Sequence, residues 1–573
     1  MTAPARPPVD LRLAPAALSA WLAGWWATGA DARTVALGAA VVPVLGAAAA
    51  MGVPRATRAL GRLARLRRAR RRSSAEPGSA AGPALGPAVA LAAAVVAVVL
   101  AACAAQQVVR DRSGLADLAA AGRVVTVAAT VRDDPTPLRA TWGQDVVLAS
   151  LEVTAVDDGA HAWRAAAPLL VRGDPGWTAL AVGTRVTVTG RLRPADPGER
   201  EVAQLVPLRA PEVRGPPRGP VAVADALRAD LMGVTDDLSP QARALVPGVA
   251  VGDVTRLPDD LDAVMRTVGL THVTAVSGGH FAIVVATLSG LCAALGLGRW
   301  PRLAVLVPAT TGFVLLVRPD PSVVRSAAMC AVTLAGAALG RPARAVPALA
   351  ASVVVLLVAD PWLARAFGFV LSVAATAGIV LLAGPVAARL SAWLPRPAAL
   401  VVAVPLAAQA ACGPVLVLLA PAVSLWSVPA NLVADPALAP ATVLGVLATL
   451  LAPLWPAGAH LLAWCAGCAT WWIARVATVA AGMPGASLPW MGGLVGALLL
   501  ALATVAAGVA AWNWRTLARA AGVSVPWAPG ARPALAGWWW VVRGTLRACL
   551  QRPDRPAAPA APVPPARASP RRS

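Results

Sequence analysis

Apolar runs of about twenty residues, the length a helix needs to cross a bilayer, recur along the chain and constrain it more than any other feature. Candidate spans are 14–30, 34–53 and 84–105. After a polar block come 272–296, 303–317, 322–339, 345–359, 367–386, 398–420, 438–455, 459–480 and 490–511. In hydrocarbon every backbone polar group needs an internal partner, so such runs fold as packed helices. The expectation is a mainly α, polytopic helical membrane protein of about twelve spans. Composition agrees: 14% of the residues are charged, against about a quarter in soluble domains.

A formal net charge of +22 invites a nucleic-acid reading, so its distribution matters. Residues 1–111 carry 13 Arg and 4 acids, and residues 513–573 carry 10 Arg and 1 acid, so eighteen of the charges sit at the two ends. The tract at 55–72, RATRALGRLARLRRARRR, holds nine arginines beside an apolar span. That is the pattern of a cytoplasmic loop, although such tracts also grip anionic lipid or DNA. With 55–72 inside, the third span delivers residues 112–212 to the outer face. Continued alternation puts Arg299/Arg302, Arg341/Arg344, Arg389/Arg396 and the C-terminal tail inside. The chain therefore reads as a multi-pass protein of the cytoplasmic membrane with both termini cytoplasmic.

The extracytoplasmic block 112–212 carries 11 Arg and 12 acids and no cysteine. GRVVTVAATV, QDVVLASLEVTAV and TRVTVTGRL alternate apolar and polar residues, which is the period of half-buried strands. Turn signals at Asp133-Asp134-Pro135, Asp157-Asp158-Gly159 and Gly173-Asp174-Pro175 separate them. Short strands over about a hundred residues predict a small OB-like β-barrel. Its Trp142, Trp163 and Trp177 either stack on single-stranded bases or pack in the core and rim, and the block's slight negative charge favours packing. Residues 213–270 read as an amphipathic connector at the membrane surface. Residues 1–111 are N-terminal membrane helices with the Arg-rich loop, 271–512 the transmembrane core, and 513–573 a basic, partly disordered tail. In that tail, PALAGWWWVVRGTLRACL suits an interfacial anchor.

Polar residues inside the apolar core are the candidates for function, because charge at bilayer depth is tolerated where it faces a cavity or a partner. The stretch THVTAVSGGH places His272 and His280 around a Ser277-Gly278-Gly279 break. The i, i+4 spacing of a helical metal pair is absent, so no metal or other cofactor is expected. Ser277 and His280 stand one helical turn apart, at the spacing of a nucleophile and its base, but without a third member or an oxyanion hole in sight. The backbone break also fits a helix interrupted where it lines a cavity. Arg325 is either a pore-lining cation or a snorkelling one. Gln409 and Asn431 either line a cavity or hydrogen-bond between helices. Cys465-x-x-Cys468, in an apolar helical run, reads as small packing residues rather than a redox pair.

His272-Val273-Thr274-Ala275-Val276-Ser277-Gly278-Gly279-His280 resembles the signature of the ComEC competence-protein family. The likeness continues through LVPGVAVGDVTRLPDDLDAVMRTVGL with Gly252-Asp253, PSVVRSAAM with Arg325 and Met329, and FGFVLSVAATAGIV with Phe369, Leu371 and Ser372. It closes with AAQAACGPV, PANL and MPGASLP. The resemblance implies a channel that takes up single-stranded DNA in natural transformation, with His272, Ser277, Gly278, His280, Arg325, Gln409 and Asn431 as conduit residues. The implied partners are membrane lipids, DNA-receptor and competence-pilus proteins, a separate nuclease and a cytoplasmic DNA motor; homo-oligomerisation stays open. Many relatives carry a C-terminal metallo-β-lactamase-like domain, and no histidine follows His460 here, so this chain is expected to lack nuclease activity. Two residues depart from the pattern, Asp435 and Arg365, and are expected to pair with each other or to mark an altered pore. The rival readings are a transporter or flippase for another anionic envelope substrate, and a membrane enzyme using Ser277 and His280.

Overall fold

The alternating stretches become strands because a closed barrel gives every second side chain an interior to enter. The computed structural model describes residues 10–49, 85–138, 146–274, 276–339 and 344–520. Its strands are β1 (Val124–Val131), β2 (Thr136–Leu138), β3 (Val146–Asp157), β4 (Ala162–Gly173), β5 (Arg185–Pro194), β6 (Ala203–Pro207) and β7 (Glu212–Gly215). Five of them follow the order β1-β3-β4-β6-β5, and β5 returns to pair with β1, closing the sheet. All pairs on that circuit are antiparallel except β4 with β6, which is parallel. The interior is apolar, with Val127, Leu151, Leu169, Val188, Leu192 and Leu205 buried in one cluster. Trp177 is fully buried in that cluster, directly against Gly173, where a Cβ would collide with its indole. The Trp163 indole N–H donates to the Ser113 carbonyl at 3.0 Å. Base stacking on Trp177 is therefore ruled out by its burial, and Trp142 lies outside the described residues.

Helices α1 (Ala14–Ala27) and α3 (Leu85–Asp111), with α2 (Ala32–Ala49) between them, precede the barrel. Short α4 (Leu115–Ala120) closes one end of it through Leu115 and Ala119. After the barrel come α5 (Pro220–Val234), α6 (Pro240–Val251), α7 (Asp259–Thr267), α8 (Thr271–Thr274) and α9 (Gly278–Ala294). Then follow α10 (Arg299–Val317), α11 (Pro321–Ala338), α12 (Ala345–Ala359), α13 (Phe367–Gly378), α14 (Gly384–Leu390) and α15 (Arg396–Leu419). Residues Ile379–Ala383 form a π-helical turn that makes α13 and α14 one continuous span. The last helices are α16 (Ser427–Leu451), α17 (Pro456–Ala481) and α18 (Gly493–Ala520). The chain divides into two units at residue 502/503, so that α18 runs from one into the other.

Among the described residues, nine helices are long and apolar enough to cross a membrane, while α9 and α12 are shorter apolar helices. The expected span at 272–296 is divided: α8 ends at Thr274 and α9 starts at Gly278. The connector also differs from a surface-lying segment. Helix α6 is buried at nearly every position from Ala242 to Val251 and packs against α16 and α17. Its run of Ala, Val and Gly residues has little side chain to hold the helices apart, so it fits between them. The arginine tract at 55–72 and the tryptophans at 538–540 lie outside the described residues.

Candidate functional site

Five helices close a ring by successive contacts, α9 with α11, α11 with α13, α13 with α15, α15 with α16, and α16 with α9. Each brings at least one polar side chain that the surrounding sequence does not explain. These are Ser277 and His280 at the head of α9, Arg325 on α11, Ser372 on α13, Gln409 on α15, and Ser427 and Asn431 on α16.

At the head of α9 the His280 Nδ1 accepts the Ser277 backbone N–H and the Ser277 hydroxyl, each at 3.0 Å. A nitrogen that accepts a backbone N–H carries no proton, so the ring is the Nε2–H tautomer. His280 is fully buried and that Nε2 has no hydrogen-bond partner. The Ser277–His280 contact is thus a helix-capping arrangement in which the serine's own backbone competes for the ring nitrogen. It satisfies an orphan donor at the helix start.

Arg325 is 5% exposed, so it is not the snorkelling cation that its place near a helix end allows. Its Nε donates to the Ser372 Oγ at 2.8 Å across the α11–α13 contact, and its Nη2 donates to the Ser326 Oγ at 2.9 Å. Nη1 reaches the Met329 Sδ at 3.0 Å. Every acceptor is neutral; the ion pairs among the described residues do not include Arg325. A buried cation without a counter-ion is costly, and its electrostatic demand stays open to an arriving anion.

Gly278 explains how α9 approaches so closely. A Cβ on it would lie 2.6 Å from both the Arg325 Nη2 and the Ser326 Oγ. Gly278→Ala is therefore expected to push α9 and α11 apart, at a cost of about 1–3 kcal/mol. Thermal unfolding of the purified protein measures this, and an unchanged midpoint would show that the contact is dispensable.

The second cluster sits on α15 and α16. The Ser427 hydroxyl, buried, donates to the Gln409 Oε1 at 3.1 Å, and the Asn431 Nδ2 donates to the Ser427 carbonyl at 2.7 Å. So Gln409 makes an interhelical bond, whereas Asn431 bonds within its own helix. Gly269, at φ 72°, approaches the same serine: its Cβ position is 2.7 Å from the Ser427 Oγ. The Gly269 carbonyl in turn accepts from the His272 Nδ1 at 3.3 Å. His272 is exposed and lies within electrostatic reach of both His280 and Asp435. All seven sequence candidates thus fall into two neighbouring groups, joined through the pair of histidines.

Asp435 and Arg365 do not pair. Arg365 donates to the Trp25 carbonyl and the Thr28 hydroxyl and stacks over the Trp25 ring at 4.6 Å, while Asp435 lies within electrostatic reach of His272. Arg365 instead fastens α1 to the core.

Sequence reasoning passed over a further charged network. Arg228, 5% exposed, meets Asp253 at 3.2 Å and Asp134 at 3.4 Å and donates to the Val251 and Leu316 carbonyls. Arg318 pairs with Asp134 and, at 2.7 Å, with Asp225. Burial pulls the Arg228 guanidinium below its usual range, opposed first by Asp253, and brings Arg318 down to about 10. The network ties the β1–β2 turn of the barrel to α5 and to the α10–α11 turn. The signal was present in Asp133-Asp134-Pro135 and in Arg318 between two spans, but pairing across that sequence distance has no local signature. Among the described residues no group of three His, Cys, Asp or Glu side chains is placed to hold a metal ion.

Residues 249–516 match the competence-protein family model. ComE operon protein 3 of Bacillus subtilis (strain 168) is 31% identical over 147 residues, which cover 26% of this chain and 19% of that relative. No solved structure matches the chain. The matched segment runs from the end of α6 into α18 and contains both clusters of the ring, and this match and the relative together support the ComEC competence-protein family.

Proposed function

We propose that the ring of α9, α11, α13, α15 and α16 conducts single-stranded DNA across the cytoplasmic membrane during natural transformation. The observation that carries this reading is Arg325, a buried guanidinium between two ring helices with neutral acceptors alone. A polyanion crossing hydrocarbon needs polar and cationic lining, and one uncompensated charge attracts phosphates without trapping them as a row would. The match to a competence-protein family model and the polar side chains on every helix of the ring support the same reading. In this proposal the β-domain is OB-like, as its closed five-stranded circuit with one parallel pair supports, and it faces outward. Both termini are cytoplasmic. The chain acts without catalysis, and strand degradation, receptor capture and motor pulling fall to other proteins.

Uptake of fluorescent DNA into cells lacking the protein, complemented with wild-type or variant chains, tests the assignment. The wild type is expected to restore internal label, and His272→Ala and His280→Ala are expected to reduce it at normal protein level. The contact between Ser277 and His280 is the one observation that favours an enzyme, and Ser277→Ala tests it. Retained uptake supports a capping role and excludes essential chemistry at Ser277, while loss of uptake at normal stability fits conduit lining and chemistry alike. Uptake without the protein would sink the DNA reading and leave another anionic substrate.

A further inference from the structure

Where the barrel meets the helices, a cavity of about 360 Å³ is lined by Arg110 of α3, Arg132 directly after β1, Glu152 of β3, Arg200 between β5 and β6, and Asp360 and Trp362 just after α12. Helix ends fix its level. The Gln106 side chain donates to the Ala359 carbonyl at 3.1 Å, so the last turns of α3 and α12 lie side by side. Helix α3 is of membrane length, and the cavity sits at its C-terminal end. Ala105 and Val109 of the same helix also line it, and both are exposed. The cavity is therefore charged where the barrel supplies its wall and apolar along the span, at the depth where headgroups meet hydrocarbon.

Its charges are unevenly satisfied. The Asp360 carboxylate accepts from Arg200 at 2.9 Å and from the Trp362 backbone N–H at 3.2 Å. Arg110 stacks over the Trp362 ring at 4.4 Å and donates to the Glu199 and Glu201 carbonyls at 3.2 and 3.1 Å, all neutral groups. Among the described residues Arg110, Arg132 and Glu152 enter no ion pair, and the Arg132 guanidinium and the Glu152 carboxylate make no hydrogen bond. Trp362 is 7% exposed, and its indole N–H, which can only donate, has no acceptor in the protein. A buried donor left unpaired is rare and calls for an explanation. Two unpaired guanidiniums and an indole N–H are matched by an oxyanion, and the unpaired carboxylate beside them by a cation. A group carrying both signs fits better than a bare anion, because Glu201 and Asp111 already act on Arg110 from beyond ion-pair distance.

We propose that this cavity binds the headgroup of an aminophospholipid. The phosphate lies against Arg110, Arg132 and the Trp362 N–H, the amine against Glu152, and the acyl chains follow Ala105 and Val109 along α3. Guanidinium forks suit phosphate oxygens, tryptophan is at home at headgroup level, and basic pockets beside spans are recognised headgroup sites. Arg132 and Glu152 belong to the barrel, whereas Arg110 and Trp362 belong to the helices, so the lipid bridges the two and holds the barrel at the bilayer surface.

Native mass spectrometry of the full chain, released from nanodiscs of phosphatidylethanolamine, phosphatidylglycerol and phosphatidylcholine in equal parts, tests this. The wild type is expected to retain phosphatidylethanolamine in preference to the other two. Arg132→Gln should lower its affinity about tenfold, the loss of one charge-assisted bond. Glu152→Gln should remove the preference for phosphatidylethanolamine over phosphatidylcholine, whose methylated amine has no N–H to give. Trp362→Phe keeps a ring beneath Arg110 and removes the indole N–H, so it should weaken all three lipids alike. If Arg132→Gln does not fold, Trp362→Phe reads the phosphate contact in its place. Equal retention by the wild type and all three variants overturns the proposal, as does a wild-type preference for phosphatidylglycerol. Displacement of the lipid by inorganic phosphate or by a single-stranded oligonucleotide would mark a bare-anion site and overturn it too. Lipid retention is measured without DNA, so its outcome is independent of whether strand passage occurs.

Discussion

Arg325→Met is expected to lower DNA uptake about 100-fold while leaving the protein at least as stable as the wild type. The two halves of this result follow from one feature, a buried guanidinium with no carboxylate beside it. A charged hydrogen bond to an anion contributes about 1.5–3 kcal/mol, and each 1.4 kcal/mol is about tenfold. A passing phosphate that loses this partner is therefore disfavoured by up to about two orders of magnitude. Stability moves the other way because removing an uncompensated charge strands no counter-ion. The Ser326 hydroxyl still donates to the Ser322 carbonyl at 3.0 Å, so little is orphaned, and Met matches the length of the lost chain. Arg325→Lys should fall between, since a point charge replaces a fork that reaches three neighbours at once. Uptake assays and thermal unfolding on the same three proteins check the pattern. Normal uptake by Arg325→Met ends the role assigned to this charge, and loss of folded protein would mean that Arg325 is structural.

How much of this was legible in the residues varies by the distance over which the physics acts. Periodicity acts locally, and the strands at 124–131, 146–157 and 185–194 fall on the stretches whose alternation was plain. Apolar length is also local, and nine membrane-length helices lie on expected spans. What failed was arrangement. Residues 240–251 carry no charge except Arg243, yet next to clearly polar segments they read as part of a surface connector, and tertiary packing buried them. The site shows the same division. Gly278 was marked as a helix break, but its role as the gap that admits Arg325 depends on α11, some 45 residues away in the chain. Ser427 was not singled out at all, although Gln409, Asn431 and Gly269 converge on it. A serine at a helix start is ordinarily a cap, and nothing in its neighbours announces three partners. The indifference of Asp435 to Arg365 was equally hidden, because pairing of opposite charges is decided by which helices touch.

Arg228→Met is expected to be the most damaging single change outside the ring. Three carboxylates depend directly or at one remove on this guanidinium: Asp253 at 3.2 Å, Asp134 at 3.4 Å, and Asp225 through Arg318. Breaking a buried ion pair from one side costs about 3–5 kcal/mol, since the abandoned charge stays in poor solvent. The Val251 and Leu316 carbonyls lose a donor as well. The damage also spreads along the backbone. Arg318 sits at φ 73°, the one described non-glycine residue in the left-handed region, a conformation of order 1–3 kcal/mol above the favoured ones. Asp134 and Asp225 hold it there. Loss of Arg228 leaves Asp134 with one arginine in place of two, and the turn that leads into α11, and so to Arg325, loses its support from the barrel. The expected result is a large fall in the unfolding midpoint of the purified protein. Asp253→Asn should cost less, because the amide oxygen still accepts the Thr255 N–H and only the oxygen that accepts from Arg228 is lost. Combining the two substitutions separates the causes. If the stranded charge dominates, Arg228→Met with Asp253→Asn is more stable than Arg228→Met alone. If the double variant is instead the sum of the two single losses, the packing of the arginine's stem and its carbonyl contacts matter more than the charge.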